Sequence, residues 1–155
     1  MKTIILTDSN CDLDGQYLTD NKIEVIPIKI YLNGNKTPLI KSYSYLFEET
    51  TNELREYMDN KEFYDKIRNG EIATTSQIAP YDFKRYFDYY ISKGNSIIYI
   101  GFSSGLSSTF NNAIIASREI TDRNEGADIT IIDTKSATSG QGLLVYYANE
   151  MLKAE

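Results

Sequence analysis

Three short apolar runs stand out along the chain: TIILTD (3–8), SIIYIGF (96–102) and ITIIDT (129–134). Each is rich in isoleucine and is bounded by small polar residues, which is typical of parallel strands buried on both faces of a sheet. A fourth run, EVIPIKIYLNG (24–34), alternates apolar and polar residues and contains Pro27, which favours a strand near a sheet edge. The pattern therefore predicts three buried strands and one near the edge.

The segments between these runs carry apolar residues at helical spacing. PYDFKRYFDYYISKG (80–94) follows the i, i+3, i+4, i+7, i+8 pattern, with Pro80 suited to the first turn and Gly94 to the C-terminal stop. A second helix is predicted from about Ser107 or Ser108, and a third after TSGQG (138–142). The apolar face of this third helix, which should point to the core, comprises Leu143, Leu144, Tyr147, Ala148, Met151 and Leu152. Weaker patterns predict helices over 12–20, 41–58 and 60–69.

Strands that alternate with helices predict the α/β class. The expected architecture is a three-layer α/β/α sandwich around a mainly parallel sheet with right-handed crossovers. The 155 residues, 41% of them hydrophobic, suit about one domain, over 1–155, which buries roughly 70% of the surface of its unfolded chain. The final helical segment ends abruptly in MLKAE, so we expect that a second domain is missing.

Charge and composition exclude several classes of function. The net charge of −6 and the lack of a basic block argue against a nucleic acid partner, because phosphates are bound through clustered Lys and Arg. With no histidine and one cysteine, Cys11, the usual zinc sites, disulfide frameworks and histidine-dependent triads are ruled out. No apolar run is long enough for a signal peptide or a membrane span. We expect a cytoplasmic protein that needs no metal or cofactor and is not a hydrolytic enzyme.

Small polar loops follow the predicted strands. TDSNCD (7–12), GFSSGLSST (101–109) and DTKSATSGQG (133–142) should meet at one sheet edge, and ATTSQIAP (73–80) adds a fourth loop before the Pro80 helix. Hydroxyls and glycines at helix N-termini can bind an anionic oxygen, because backbone N–H groups there are unpaired. The same residues also serve as ordinary helix caps. The candidates for an anion site are Thr75, Ser103, Ser104 and Gly105, with Ser76, Ser107, Asp8 and Ser9 nearby.

Several segments, in this order, resemble the amino-terminal domain of the DegV family, bacterial fatty-acid-binding proteins of the fatty acid kinase system. They are TDSNCDL, IEVIPIKIYLNG, EFYDKI, TTSQIAP, GFSSGLSSTFNNA and IIDTKSATSGQGLL, and they cover nearly the whole chain. The pairing of TSQ with SSGLS is the most specific part of the likeness. In TTSQIAP, Ile78 and Ala79 stand where the family commonly has Pro-Ser.

The resemblance implies a function for the polar loops. A long-chain fatty acid would lie in a tunnel with its carboxylate held by Thr75 and Ser103, with Ser104 and Gly105 in the same loop as Ser103. A dihydroxyacetone-kinase-like partner would phosphorylate the bound acid for phospholipid synthesis, so this chain would be a carrier and not the enzyme. The smaller second domain that closes the tunnel in the family is absent from this chain.

Two other hypotheses stay open. The same loops could form the phosphate cradle of a nucleotide- or phosphosugar-dependent α/β enzyme, although the sequence has no Walker lysine and no complete GxGxxG. Alternatively, a domain separated from its second half would expose an apolar face and self-associate through it.

Overall fold

The computed structural model describes residues 2–34 and 58–154. Its strands are β1 (Thr3–Asp8), β2 (Glu24–Ile26), β3 (Lys29–Leu32), β4 (Ala73–Ser76), β5 (Ser96–Gly101) and β6 (Ile129–Asp133). Its helices are α1 (Gly15–Asp20), α2 (Asn60–Arg68), α3 (Pro80–Ser92), α4 (Thr109–Arg123) and α5 (Thr138–Lys153), with a short 3-10 turn at Ser9–Cys11. The helix predicted over 41–58 lies, up to residue 57, outside the described residues.

The main sheet is parallel throughout, in the order β2-β1-β5-β6. The three isoleucine-rich runs form the strands β1, β5 and β6, as predicted, and β1 and β5 occupy the centre. The prediction that all three are buried is wrong for β6, which is an edge strand with no fully buried residue. Thr7 pairs with Val25 on one side and with Ile100 on the other, and Gly101 pairs with Asp133. The strands thus end together, and the loops that follow them leave from one edge of the sheet.

Alternate residues of the central strands enter two separate cores. Leu6, Ile97 and Tyr99 face α3 and α4, where they pack with buried residues of those helices such as Phe83 and Phe87. On the opposite face, the side chains pack against α1 and α5; they include Ile5, Val25 and Ile100. Helices on both faces of a parallel sheet make the three-layer α/β/α sandwich that the sequence predicted.

The prediction of one continuous edge strand over 24–34 is wrong. Glu24–Ile26 does form the edge strand β2, but the chain leaves the sheet at Pro27, whose ring cannot donate to a strand ladder. Lys29–Leu32 then pairs antiparallel with Ala73–Ser76 in a separate two-stranded sheet. The segment 73–80, interpreted as a loop, therefore begins with a strand. Its two threonines, Thr74 and Thr75, favour this pairing because β-branched side chains suit a strand.

Helix α5 also differs from the prediction. It begins at Thr138, so TSGQG forms its first turns and not the loop before it. The face that packs on the sheet consists of Gln141, Gly142, Val145 and Asn149. The larger apolar residues Leu143, Tyr147 and Met151 are 54%, 56% and 72% exposed. Of the predicted core face, only Ala148 and Leu152 pack against the core, both partly buried. Periodicity found the helix but placed the centre of its buried face incorrectly, because apolar residues occur on both faces.

Candidate ligand-binding site

The carboxyl edge of the sheet brings three of the four candidate loops together. Asp8 ends β1, Gly101 ends β5 and Asp133 ends β6, and the paired registers place these ends side by side. Hydrogen bonds then link the loops that follow, as described below. This is the edge at which open parallel sheets bind their ligands.

Asp8 is fully buried and joins two of these loops. Its Oδ2 accepts hydrogen bonds from the hydroxyl of Tyr99 (2.7 Å) and from the backbone N–H of Phe102 (2.9 Å). Its Oδ1 accepts from the backbone and side-chain N–H groups of Asn10. Burial, followed by the charge of this carboxylate, raises the pKa of Tyr99 well above its ordinary value, so the phenol remains a donor. Asp8 therefore orients the start of the loop after β5.

Ser103, Ser104 and Gly105 lie in one tight turn. The buried Oγ of Ser103 accepts a hydrogen bond from the N–H of Gly105 (3.2 Å), and its carbonyl accepts from the N–H groups of Leu106 and Ser107. A Cβ at position 105 would meet Ser103 Oγ at 3.5 Å, so the turn is compact without being strained. As an acceptor from Gly105, the Ser103 hydroxyl keeps its own hydrogen for another group.

Ser107 acts as the cap of α4. Its Oγ accepts from the N–H of Thr109 (3.2 Å) and contacts the Thr109 hydroxyl (3.0 Å). Ser108, the last residue before the helix, makes no capping hydrogen bond through its side chain. The helix begins at Thr109, close to the start predicted at Ser107 or Ser108, and for Ser107 the ordinary capping role is the one observed.

A charged group that sequence reasoning did not select lies beside this turn. Lys135 Nζ donates to Ser104 Oγ (2.8 Å) and pairs with Asp133 Oδ2 (2.7 Å). Asp133 Oδ1 accepts from the backbone N–H groups of Ser104 and Lys135, both at 3.1 Å. Burial alone would raise the pKa of Asp133, but the hydrogen bonds from Lys135 and Ser104 hold it well below its ordinary value. The Asp133 carboxylate thus binds the two loops together.

Further hydrogen bonds join the loops after β5 and β6. The Thr134 hydroxyl donates to the carbonyl of Gly101 (2.8 Å), and the N–H of Ser103 donates to the carbonyl of Ser136 (3.0 Å). Both Thr134 and Ser103 are buried. The turn at Ser103 is therefore supported from both sides, by Asp8 and by the 133–136 loop.

Thr75 lies in the small sheet. It lies on β4 opposite Ile30, with its side chain exposed. Among the described residues no hydrogen bond joins Thr75 to Ser103. The connection runs through Ile78, whose N–H donates to Thr109 Oγ1 (3.3 Å) and whose carbonyl accepts from Asn112 (2.8 Å). These bonds attach the 73–80 segment to the start of α4, beside the Ser103 turn.

Ser9 and Ser76 lie near the segment in which the chain passes from the main sheet to the small sheet. Ser9 Oγ accepts from the N–H of Ile28 (2.9 Å), and the next residue, Lys29, pairs with Ser76. Ser9 is thus used to guide the chain from β2 into β3. Ser76 is half-buried.

Among the described residues, cavities lie near both ends of the parallel strands. A groove of about 370 Å³ lies between the 3-10 turn and α5 and is lined by Cys11, Leu13, Leu143 and Tyr146, among others. A cavity of about 230 Å³ lies at the opposite edge, around Lys2 and Asn149, away from the polar loops. Cys11 itself is buried, and burial raises the pKa of its thiol to about 11, which fits an inert packed cysteine.

The sequence signal for Lys135 was present in DTKSATSGQG but was weak. An isolated lysine after a strand is usually a solvated surface charge, and only the tertiary structure shows its contact with Ser104. Gln141 was also overlooked. It is fully buried, and its amide donates to the hydroxyl of Thr7 (3.1 Å).

Among the described residues, no helix is long and apolar enough to cross a membrane, and no group of three or more Cys, Asp or Glu residues is arranged to hold a metal ion.

Comparison with known proteins gives a consistent result. The model of the DegV family, described as uncharacterised proteins, matches residues 2–155. A DegV domain-containing protein of Clostridium perfringens is 36% identical over 159 residues, which cover 98% of this chain and 48% of that protein. The chain thus spans about half the length of the curated relatives it matches.

Solved structures agree with this match. A DegV family protein of Thermus thermophilus, described by its fatty acid binding, has a TM-score of 0.78 and 25% identity, over 99% of this chain and 48% of that one. A DegV lipid-binding protein of Thermotoga maritima has a TM-score of 0.75 and 26% identity, over 99% of this chain and 49% of that one.

Proposed function

Because this chain belongs to the DegV family, we propose that it binds a long-chain fatty acid and acts as a carrier, not as an enzyme. The observation that carries the proposal is the turn Ser103–Gly105, which the surrounding loops hold at the ligand-binding edge of the sheet. Support also comes from the structural neighbours described as binding fatty acids or lipids.

The carboxylate would be held by the hydroxyls of Thr75 and Ser103, with Ser104 and Gly105 in the same turn. The hydroxyl of Ser103 suits this role, because its oxygen accepts from Gly105 and its hydrogen is left to donate to a carboxylate. Hydrogen bonds to an ionised oxygen are stronger than those between neutral groups, so two or three hydroxyls can orient a carboxylate.

Affinity and orientation would come from different parts of the ligand. Burial of an acyl chain contributes about 0.8 kcal/mol for each CH₂, so a long chain supplies most of the binding free energy. The head group then only needs enough contacts to fix its position. This division suits a carrier, which must leave the carboxylate accessible to a second protein.

The test is the binding of cis-parinaric acid to the full-length natural protein, measured by fluorescence, and its displacement by hexadecanoic acid. Thr75→Ala and Ser103→Ala should each weaken binding several-fold. Matched controls are Thr74→Ala, the exposed neighbour of Thr75, and Ser108→Ala, whose side chain does not cap α4. Unchanged binding in the Thr75→Ala, Ser103→Ala double variant would contradict the head-group assignment.

Hydrogen exchange in the presence of each ligand tests the competing enzyme hypothesis. If ATP or a sugar phosphate, and not a fatty acid, protected the amides of residues 101–108 from hydrogen exchange, the loops would be a phosphate cradle and the fatty acid proposal would be wrong.

The proposed partner is a dihydroxyacetone-kinase-like fatty acid kinase in the cytoplasm. It would transfer the γ-phosphoryl group of ATP to the bound carboxylate, giving an acyl phosphate and ADP. Incubation of the loaded protein with such a kinase, ATP and hydroxylamine should yield the fatty acyl hydroxamate. No hydroxamate above the level of the kinase alone would argue against this partner.

The exposed apolar face of α5 supports a further proposal, that the 155-residue chain self-associates when prepared alone. Leu143, Tyr147 and Met151 form an exposed row spaced by four residues, and Leu144 is 43% exposed beside it. Sedimentation of the chain should show association that rises with concentration. A Leu143→Ser, Met151→Ser variant should remain monomeric, and association unchanged by this variant would refute the role of α5.

A further inference from the structure

The strongest unassigned feature of the site is the cation beside the Ser103 turn. Lys135 has a positive φ of 52°, and its backbone N–H donates to Asp133 Oδ1. Its ammonium group is held at 2.8 Å from Ser104 Oγ and 2.7 Å from Asp133 Oδ2. An exposed lysine usually samples many rotamers, whereas this one has two polar partners that hold its charge at one place.

The two partners of this ion pair differ greatly in exposure. The side chain of Asp133 is 14% exposed, whereas that of Lys135 is 72% exposed. The carboxylate also accepts hydrogen bonds from the N–H groups of Ser104 and Lys135 on its other oxygen. Its negative charge is therefore covered by donors, and the group that this loop presents to an approaching ligand is the ammonium.

Asp8, the carboxylate at the end of β1, does not oppose that charge. Asp8 is fully buried, and its two oxygens accept from Asn10, Tyr99 and Phe102. An ammonium group has three N–H donors, and the two contacts of Lys135 use two of them. One donor thus remains for a ligand oxygen beside Ser104, the neighbour of Ser103.

We infer that Lys135 is a specificity-determining residue that makes this site prefer a carboxylate over a neutral head group. The inference rests on the proposed function, since it concerns the head group of the same acyl ligand. The hydroxyls of Thr75 and Ser103 can bind an alcohol as well as an acid. A fixed ammonium distinguishes between them, because its attraction to a negatively charged oxygen is stronger than its hydrogen bond to a neutral hydroxyl.

The test compares two ligands with the same tail. Hexadecanoic acid and hexadecan-1-ol, each delivered from cyclodextrin, would displace cis-parinaric acid from the full-length natural protein and from its variants. Lys135→Gln should weaken binding of the acid about three- to tenfold and binding of the alcohol less than twofold, as expected for the loss of one partly exposed charge contact. Lys135→Arg should keep the preference for the acid, because it keeps the charge.

A matched control is available at the opposite edge of the sheet. Lys153 is also an exposed lysine held by one carboxylate, with Nζ at 2.7 Å from Glu150 Oε1. Lys153→Gln removes the same charge from the protein and should leave the affinities for hexadecanoic acid and for hexadecan-1-ol unchanged. A second readout is the dependence of acid affinity on salt, which should be weaker in Lys135→Gln than in the Lys153→Gln control.

The outcomes separate this inference from the proposed function. If Lys135→Gln weakened binding of the acid and of the alcohol equally, the lysine would only shape the loop, and the inference would be wrong. If Lys135→Gln changed nothing while Thr75→Ala and Ser103→Ala weakened the acid, the inference alone would fail. If the unaltered protein bound neither parinaric acid nor hexadecanoic acid, both would be overturned.

Discussion

The hydrogen bonds of Asp8 allow a quantitative prediction about how the site is held. The carboxylate and the Tyr99 ring are both fully buried, and the contact between them is 2.7 Å long. Tyr99→Phe removes this hydrogen bond but keeps the ring, whose centroid is 5.0 Å from that of Phe83. A hydrogen bond to a charged group contributes about 1.5–3 kcal/mol, so the free energy of unfolding should fall by about that amount.

Asp8→Asn should lower the free energy of unfolding by more than Tyr99→Phe does. The carboxylate accepts from four donors, two on each oxygen: the Tyr99 hydroxyl and Phe102 N–H on Oδ2, and two N–H groups of Asn10 on Oδ1. Whichever way the amide of an asparagine turns, its NH₂ faces two of these donors. We expect a loss of about 3–5 kcal/mol, since two hydrogen bonds are broken and buried donors are left unpaired.

The assay is urea denaturation of both single variants and the double variant, with cis-parinaric acid binding as a second readout. Because Tyr99 and Asp8 share one hydrogen bond, the double variant should lose less stability than the sum of the single variants. The Asp8→Asn variant should also bind the fatty acid more weakly, since Phe102 precedes Ser103. A loss below about 1 kcal/mol for Asp8→Asn, or strict additivity, would refute the role assigned to Asp8.

Three further predictions follow from the same structure. Burial raises the pKa of Cys11 to about 11, so the native thiol should be almost unreactive towards DTNB at pH 8 and react fully in guanidinium chloride; rapid native reaction would contradict this. The pKa of Asp133 is lowered on folding, so its stabilising contribution is present above the ordinary value of 3.8 and lost as the pH falls through the folded pKa. The difference in the free energy of unfolding between wild type and Asp133→Asn should therefore shrink below about pH 4. A difference that stayed constant with pH would contradict this role of Asp133. A Cβ at position 142 would collide with the Cys11 carbonyl and lie 3.2 Å from Leu13 Cγ. Gly142→Ala should therefore destabilise the fold by about 1–3 kcal/mol, in spite of the better helix propensity of alanine. Equal or higher stability of this variant would show that α5 can shift.

Local signals predicted much of the architecture. The runs that became β1 and β5 were recognisable because strands buried on both faces need apolar residues at nearly every position. Helix α3 was bounded correctly by Pro80 and Gly94, because each acts through its own backbone: Pro80 is at the first helical position, and Gly94 has a φ of 74°. The convergence of three polar loops followed from parallel topology alone.

Other features depended on partners distant in sequence. The segment at 73–76 is a strand only because β3 lies beside it, and Thr and Ser alone do not distinguish a strand from a loop. The apolar residues of α5 gave no indication of which face the sheet would cover. Those assignments depend on tertiary packing, which local propensity does not encode.

The sequence by itself determined the α/β class, the central strands and the presence of hydroxyl-rich loops at one edge, because these depend on residue type and short-range spacing. Only the tertiary structure decided how those hydroxyls are used. Ser107 became a cap, Ser103 kept a hydrogen to donate, and Lys135 was fixed beside Ser104 by the nearby Asp133. A hydrogen bond requires the donor–acceptor distance to be correct within a few tenths of an ångström, and such placement arises only when the whole sheet and its loops are assembled.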